Sequence, residues 1–209
     1  MRILYIDVDS LRPDHLSCYG YHLQTSPHID ELAAEGMRFT DAYAACAVCS
    51  PTRAAVQTGR YPGRLGVTDW MRSRFQGGAI PADKKNPSGY TGGRNRKLLV
   101  PKNALWMESE EVTIAELLKP AGYVSCHIGK WHLDGSNNRE HYVPPQRRGG
   151  FQYWMGYENN NNQNECYVYG NESETPIRLP GYETDSLTDM LIQHLGDHVG
   201  TDEDYQPFL

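Results

Sequence analysis

Cysteine, proline and arginine stand at fixed offsets in Cys49-Ser50-Pro51-Thr52-Arg53, a segment that continues to Thr58-Gly59-Arg60. Random placement of proline and arginine at those offsets from the chain's five cysteines would give on the order of 0.01 matches, so the pattern asks for a reason. A cysteine just ahead of a helix meets free N–H groups and the positive end of the dipole, which favour an anion there. Arg53 lies about one turn further on, so its guanidinium can return toward the same spot. The plain alternative is a buried cysteine, a capping proline and a solvated arginine, and this segment alone leaves it open. Cys46 and Cys49 also form a CxxC, which could be a redox pair or half of a zinc site. No second CxxC accompanies it.

Two more clusters carry chemistry. Gly122-Tyr123-Val124-Ser125 leads to Gly129-Lys130-Trp131-His132. If the chain stays extended past the strand end, Lys130 and His132 face the same side. A cation and an imidazole together suit an anionic substrate and its leaving oxygen. A strand-end lysine beside a packed tryptophan is the bland counterpart. Near the start, Asp7-Val8-Asp9-Ser10-Leu11-Arg12-Pro13-Asp14 offers oxygens, with Asp7 deeper in its strand and more in keeping with a buried carboxylate. Asp14, His15, Cys18 and the remaining histidines are given surface or packing duty.

The elements that must position these groups follow from local pattern. Residues 3–9, branched and apolar, predict a buried strand ending in a loop. Ser26 and Pro27 predict a helix start, with Ile29, Leu32 and Ala33 on its apolar face and Gly36 at its end. Residues 37–43 predict a second short strand. A helix follows the cysteine segment, another covers 113–119, a buried strand covers 122–128, and a last helix over 184–195 carries Leu187, Leu191 and Leu195. Residues 72–102 and 159–180 read as polar loop insertions. Tyr205-Gln206-Pro207-Phe208-Leu209 reads as the opening of a further strand. Strands alternating with helices predict an α/β fold with a mainly parallel sheet, whose chemistry gathers at the strands' carboxyl ends.

The segment CSPTRAAVQTGR resembles the sulfatase signature C-x-P-[ST]-R followed by Thr-Gly, and GYVS…GKWH resembles that family's second signature. The resemblance covers nearly all of residues 1–209, yet only the N-terminal half or so of the family domain. It implies an alkaline-phosphatase-like α/β sheet, incomplete at the C-terminus, and hydrolysis of a sulfate monoester. It implies that Cys49 is converted to formylglycine (3-oxoalanine) by a formylglycine-generating enzyme that reads Pro51 and Arg53. It implies roles for Arg53 and Lys130 in offsetting charge and for His132 at the hydrate. The family carries an Asp-Asp pair where this chain has Asp9-Ser10, so the implied divalent cation is held by Asp9, Ser10 and the modified Cys49. Ca2+ is expected, with Mn2+ or Zn2+ as alternatives, and Ser10 is the weaker ligand. Later metal ligands and a leaving-group histidine are not matched before residue 209, so the chain alone is expected to be nearly inactive. A phosphonate or phosphate ester hydrolase of the same superfamily, and a non-catalytic scaffold, are the competing readings.

Composition sets the outer bounds. Hydrophobic residues make up 39% and charged residues 22%, as in globular chains. A net charge of -6 argues weakly against nucleic acid, and no apolar run approaches a membrane span. An odd number of irregularly spaced cysteines and the absence of a recognisable leader predict a cytoplasmic protein. The substrate expected is a small-molecule or carbohydrate sulfate ester, with its alcohol read by the two loop insertions.

Overall fold

Ser26 and Pro27 open the first helix, α1 (Pro27–Glu35), where the sequence places it. The structure, a computed structural model, describes residues 1–69, 71, 78–80, 98–100, 104, 106–135, 142–198 and 207–209. Two compact units divide the chain, Tyr5–Ala44 and the remainder (Met1–Leu4 with Ala45–Leu209).

The smaller unit holds α1 and two 3-10 turns, Pro13–His15 and Ser17–Tyr19. Asp30 ties it together, accepting from Cys18 N–H at 2.8 Å and from the Ser26 hydroxyl at 3.0 Å. Ser26 is its one buried residue. Ile29 and Leu32, expected to face a core, are 41% and 68% exposed. A segment this short has too little apolar surface to enclose one. Residues 37–43 form no strand, and Met37, Phe39 and Tyr43 are exposed. Nor do residues 3–9 form the expected buried strand: Leu4, Tyr5, Ile6 and Val8 are exposed. Branched residues raise extended propensity, but burial needs a covering layer that propensity cannot supply.

In the larger unit the cysteine segment becomes α2 (Cys49–Thr58), followed by the short α3 (Pro62–Leu65). Strands β1 (Gly78–Ile80) and β2 (Leu98–Val100) pair antiparallel. They fall within 72–102, most of which lies outside the described residues. Helix α4 (Ile114–Leu118) starts on a capping box, with Thr113 and Glu116 satisfying each other's backbone N–H groups.

Strands β3 (Cys126–Lys130) and β4 (Tyr153–Tyr157) pair in parallel, from Cys126 opposite Tyr153 to Lys130 opposite Tyr157. Phe208 forms a parallel bridge to Val124, and Ile3 N–H donates to Phe208 O at 2.9 Å. On the far side Gly156 bridges Tyr169 antiparallel. Strand β3 thus has a parallel neighbour on both sides, as an α/β sheet requires. It begins at Cys126, later than the pattern over 122–128 suggested, and the aromatic run of β4 is a strand the periodicity did not reveal.

Strands β5 (Tyr167–Val168) and β6 (Ile177–Arg178) form a hairpin inside residues 159–180. This segment is not wholly a solvated loop, because Cys166, Val168 and Leu179 are buried with Tyr157. Helix α5 (Glu183–His198) packs Leu187 and Met190 on that cluster. A second core joins Ala54 of α2 to Val67, Met107, Trp131, Leu133 and Trp154. Among the described residues no helix is long and apolar enough to cross a membrane.

Candidate active site

Val48 is extended (φ -130°, ψ 140°), and the chain coils from Cys49, which becomes the first residue of α2. Pro51 falls in the first turn, where its missing N–H breaks no helical bond. Gly59, at φ 66°, closes the helix by donating its N–H to Ala55 O at 2.8 Å. Ser50, Pro51 and Ala54 are buried, which pins one face of α2, while Cys49 is only partly covered. Ser50 Oγ accepts from Met71 N–H at 3.2 Å. The Thr52 hydroxyl donates to Cys46 O and Thr52 Oγ1 accepts from Cys46 N–H at 3.3 Å. The backbone at the first residue of the CxxC is thereby folded onto the helix start. Cys46 and Cys49 are both free thiols, and among the described residues no group of three or more His, Cys, Asp or Glu is placed to hold a metal.

Arg53 Nη1 donates to Lys130 O at 2.7 Å, across 77 residues of sequence. That bond joins the two motifs. It fastens one turn of α2 to the carboxyl end of β3, where a parallel sheet places its chemistry. Beneath it His127 stacks on Trp154 (4.6 Å between ring centroids) and meets Trp131 edge-on at 5.2 Å. Burial drives its imidazole down to about 3, and the nearby Arg53 guanidinium pushes the same way. His127 is therefore a neutral packing ring.

Close packing leaves this strand end little freedom. Gly129, at φ 105°, takes a conformation that side chains rarely adopt. A Cβ at Gly156 would lie 2.9 Å from Gly129 O and 3.0 Å from the His127 ring. Trp131 is buried, and its N–H donates to Tyr157 O at 2.8 Å. His132 follows at φ 58°. The extended path assumed for Lys130 and His132 therefore breaks, and alternation no longer places them on one side. Among the described residues only Ser10 (φ 62°) and His132 combine a side chain with positive φ. Both were singled out by sequence, and rare backbone states of this kind concentrate at functional sites.

Asp9 and Ser10 belong to the unit Tyr5–Ala44 and sit exposed at a turn, with Leu11 N–H reaching Val8 O at 3.5 Å. Carboxylate and hydroxyl oxygens are the donor type that a hard cation such as Ca2+ takes. The pair is of that donor type.

Five polar residues that motif reading passed over make contacts on or near the GKWH turn. Glu158 receives three backbone N–H groups. Buried Asp134 pairs with Arg147 Nη1 at 2.9 Å, and that guanidinium lies 4.1 Å from the Trp106 ring centroid. Tyr157 donates its hydroxyl to Glu183. Only the polar residues flanking the aromatic run of β4 hinted at any of this.

A sulfatase family model matches residues 2–209. The chain belongs to the sulfatase family. It is 35% identical over 164 residues to human arylsulfatase A, an alignment covering 78% of this chain and 26% of that protein. The chain thus spans about a quarter of that relative's length. A structure described as the putative sulfatase yidJ from Bacteroides fragilis superposes with a TM-score of 0.75 at 23% identity, covering 96% of this chain and 41% of that one. A further structure, solved with its substrate D-glucosamine-2-N,6-O-disulfate, gives a TM-score of 0.59 at 26% identity over 94% of this sulfatase chain and 30% of its own. The fold is the alkaline-phosphatase-like α/β sheet.

Proposed function

We propose that this sulfatase chain carries the nucleophile and the anion-binding turn of a formylglycine-dependent sulfuric ester hydrolase. The observation that carries the reading is the bond from Arg53 to Lys130 O, which brings the CSPTR helix and the GKWH turn to one strand end. Conversion of Cys49 would supply an aldehyde hydrate, with one hydroxyl to attack sulfur and expel the alcohol, and a second whose deprotonation re-forms the aldehyde as the C–O bond to sulfate breaks. A thiol lacks that second group, so its sulfated form would need a separate attack.

The chain's own residues then divide the remaining work. Cys49, partly exposed at the first helical position, presents the reacting group to a substrate and to a formylglycine-generating enzyme. The helix N-terminus favours negative charge there. Arg53, one turn along, offsets charge at the reacting centre while its fixed bond holds the turn. Lys130 contributes a second cation at the strand end, and His132 exchanges a proton with the hydrate. Asp9 and Ser10 would hold a divalent cation, which when bound polarises the sulfate oxygens.

The substrate class proposed is a carbohydrate sulfate ester, by extension from the relative solved with a glucosamine disulfate. Ser10, in place of a second carboxylate, is the observation favouring the rival phosphonate or phosphate ester reading. Matched aryl sulfate and aryl phosphonate esters distinguish them when kcat/KM is measured on the full-length gene product. A preference for sulfate of about tenfold or more is expected, equivalent to about 1.4 kcal/mol of transition-state discrimination. The opposite preference would overturn the assignment to sulfate.

A further inference from the structure

His132 is bracketed on both sides by the end of one strand. Ahead of it, Trp131 N–H donates to Tyr157 O at 2.8 Å. Beyond it, Leu133 and Asp134 N–H donate to Glu158 Oε2 at 3.2 and 3.1 Å, and Gly135 N–H donates to Glu158 Oε1 at 2.7 Å. Leu133 O in turn accepts Met107 N–H at 2.8 Å. The left-handed conformation is unfavourable for an L residue, so it persists only where its surroundings over-determine it. Consecutive residues 157 and 158 do that here.

Glu158 is 3% exposed, an expensive place for a carboxylate. Burial pushes its pKa up to about 7, Asp134 adds to the rise, and the three N–H groups pull the other way. Asp134 is itself neutralised by Arg147 at 2.9 Å. Core packing would favour an apolar side chain at such a position. A carboxylate is the group that can accept three converging backbone donors.

We propose that Glu158 is a positioning residue, whose carboxylate clamps the turn at 133–135 and thereby holds His132 in the conformation its site requires. The clamp stands on geometry; that His132 serves catalysis rests on the sulfatase reading. Glu158→Gln would replace one acceptor oxygen with an NH2 group facing a backbone donor. Glu158→Asp keeps the charge but withdraws it by one methylene.

Amide hydrogen exchange on the full-length gene product tests the clamp. In E158Q the amides of 133–135 are expected to lose about tenfold or more of their protection, while those of β3 keep theirs within about twofold. E158D is expected to fall between E158Q and the wild type. On an aryl sulfate, kcat of E158Q is expected to drop by about tenfold with KM changed less than about twofold, because the lost alignment acts on the reacting state. Wild-type protection at 133–135 in E158Q, protection lost equally across β3, or loss of protection without any fall in kcat would each overturn the proposal. Should E158Q fail to fold, E158D is judged by the same criteria. A wild-type protein without sulfatase activity would count against the functional reading, and the exchange pattern alone would then decide the clamp.

Discussion

Cys49→Ala is expected to lower kcat/KM on an aryl sulfate by about 10⁴-fold or more, some 5 kcal/mol of transition-state stabilisation, because it removes the reacting group itself. The fold gives little reason for a structural loss. Cys49 is only partly covered, whereas Ser50, Pro51 and Ala54 anchor the helix and remain in place. Alanine is also the better helix former. Thermal unfolding of the variant should stay within a few degrees of the wild type. A loss of activity together with a large loss of stability would point to cysteine as a packing residue. Retention of more than about one-tenth of the activity would remove Cys49 from the chemistry.

Arg53→Ala is expected to cost about 10²–10³-fold in kcat, or some 3–4 kcal/mol, the range for removing a fixed donor from a developing charge. Here stability must fall too. The guanidinium donates to Lys130 O at 2.7 Å, and losing a charged donor to a partly buried carbonyl costs roughly 1.5–3 kcal/mol. Arg53→Lys restores the charge without the planar fork, so it should recover only part of either loss. His127 supplies an internal check. Burial is the larger cause of its depressed pKa and the Arg53 guanidinium the smaller. In Arg53→Ala its titration should therefore move upward yet stay below that of an ordinary histidine. Kinetics, thermal unfolding and a histidine NMR titration read the three effects separately. An unchanged kcat would refute the assigned role.

What was legible in the sequence was local. The helix opened by Cys49 and Pro51 and closed by Gly59, the Thr113 cap, and the spacing of Leu187 and Leu191 on α5 each rest on contacts within a turn or two. What was missed is paired across distance. Residues 3–9 carry strand propensity, but neither their exposure nor the bond from Ile3 to Phe208 is written in that run. Strand β4 follows a long crossover and is set by its register with β3, which no periodicity in residues 153–157 encodes. Motif spacing identified Lys130 and His132 as a pair, yet the left-handed backbone at His132 undid the same-side argument. That conformation depends on Glu158, twenty-odd residues later, and a glutamate after an aromatic run looks like any strand-end charge. Cys49 and Arg53 were recoverable because both sit on one helix. Asp9 and Ser10 lie in a separate unit, so their place in the chemistry rests on donor type and on the family pattern.

Mass spectrometry of the Cys49 peptide, from the full-length gene product made alongside a formylglycine-generating enzyme, tests the central claim most directly. Conversion of the thiol to an aldehyde predicts a peptide lighter by about 18 Da, with an aldehyde-reactive probe adding at the same residue. An unmodified thiol at Cys49 in protein that nevertheless hydrolyses sulfate esters would contradict the account.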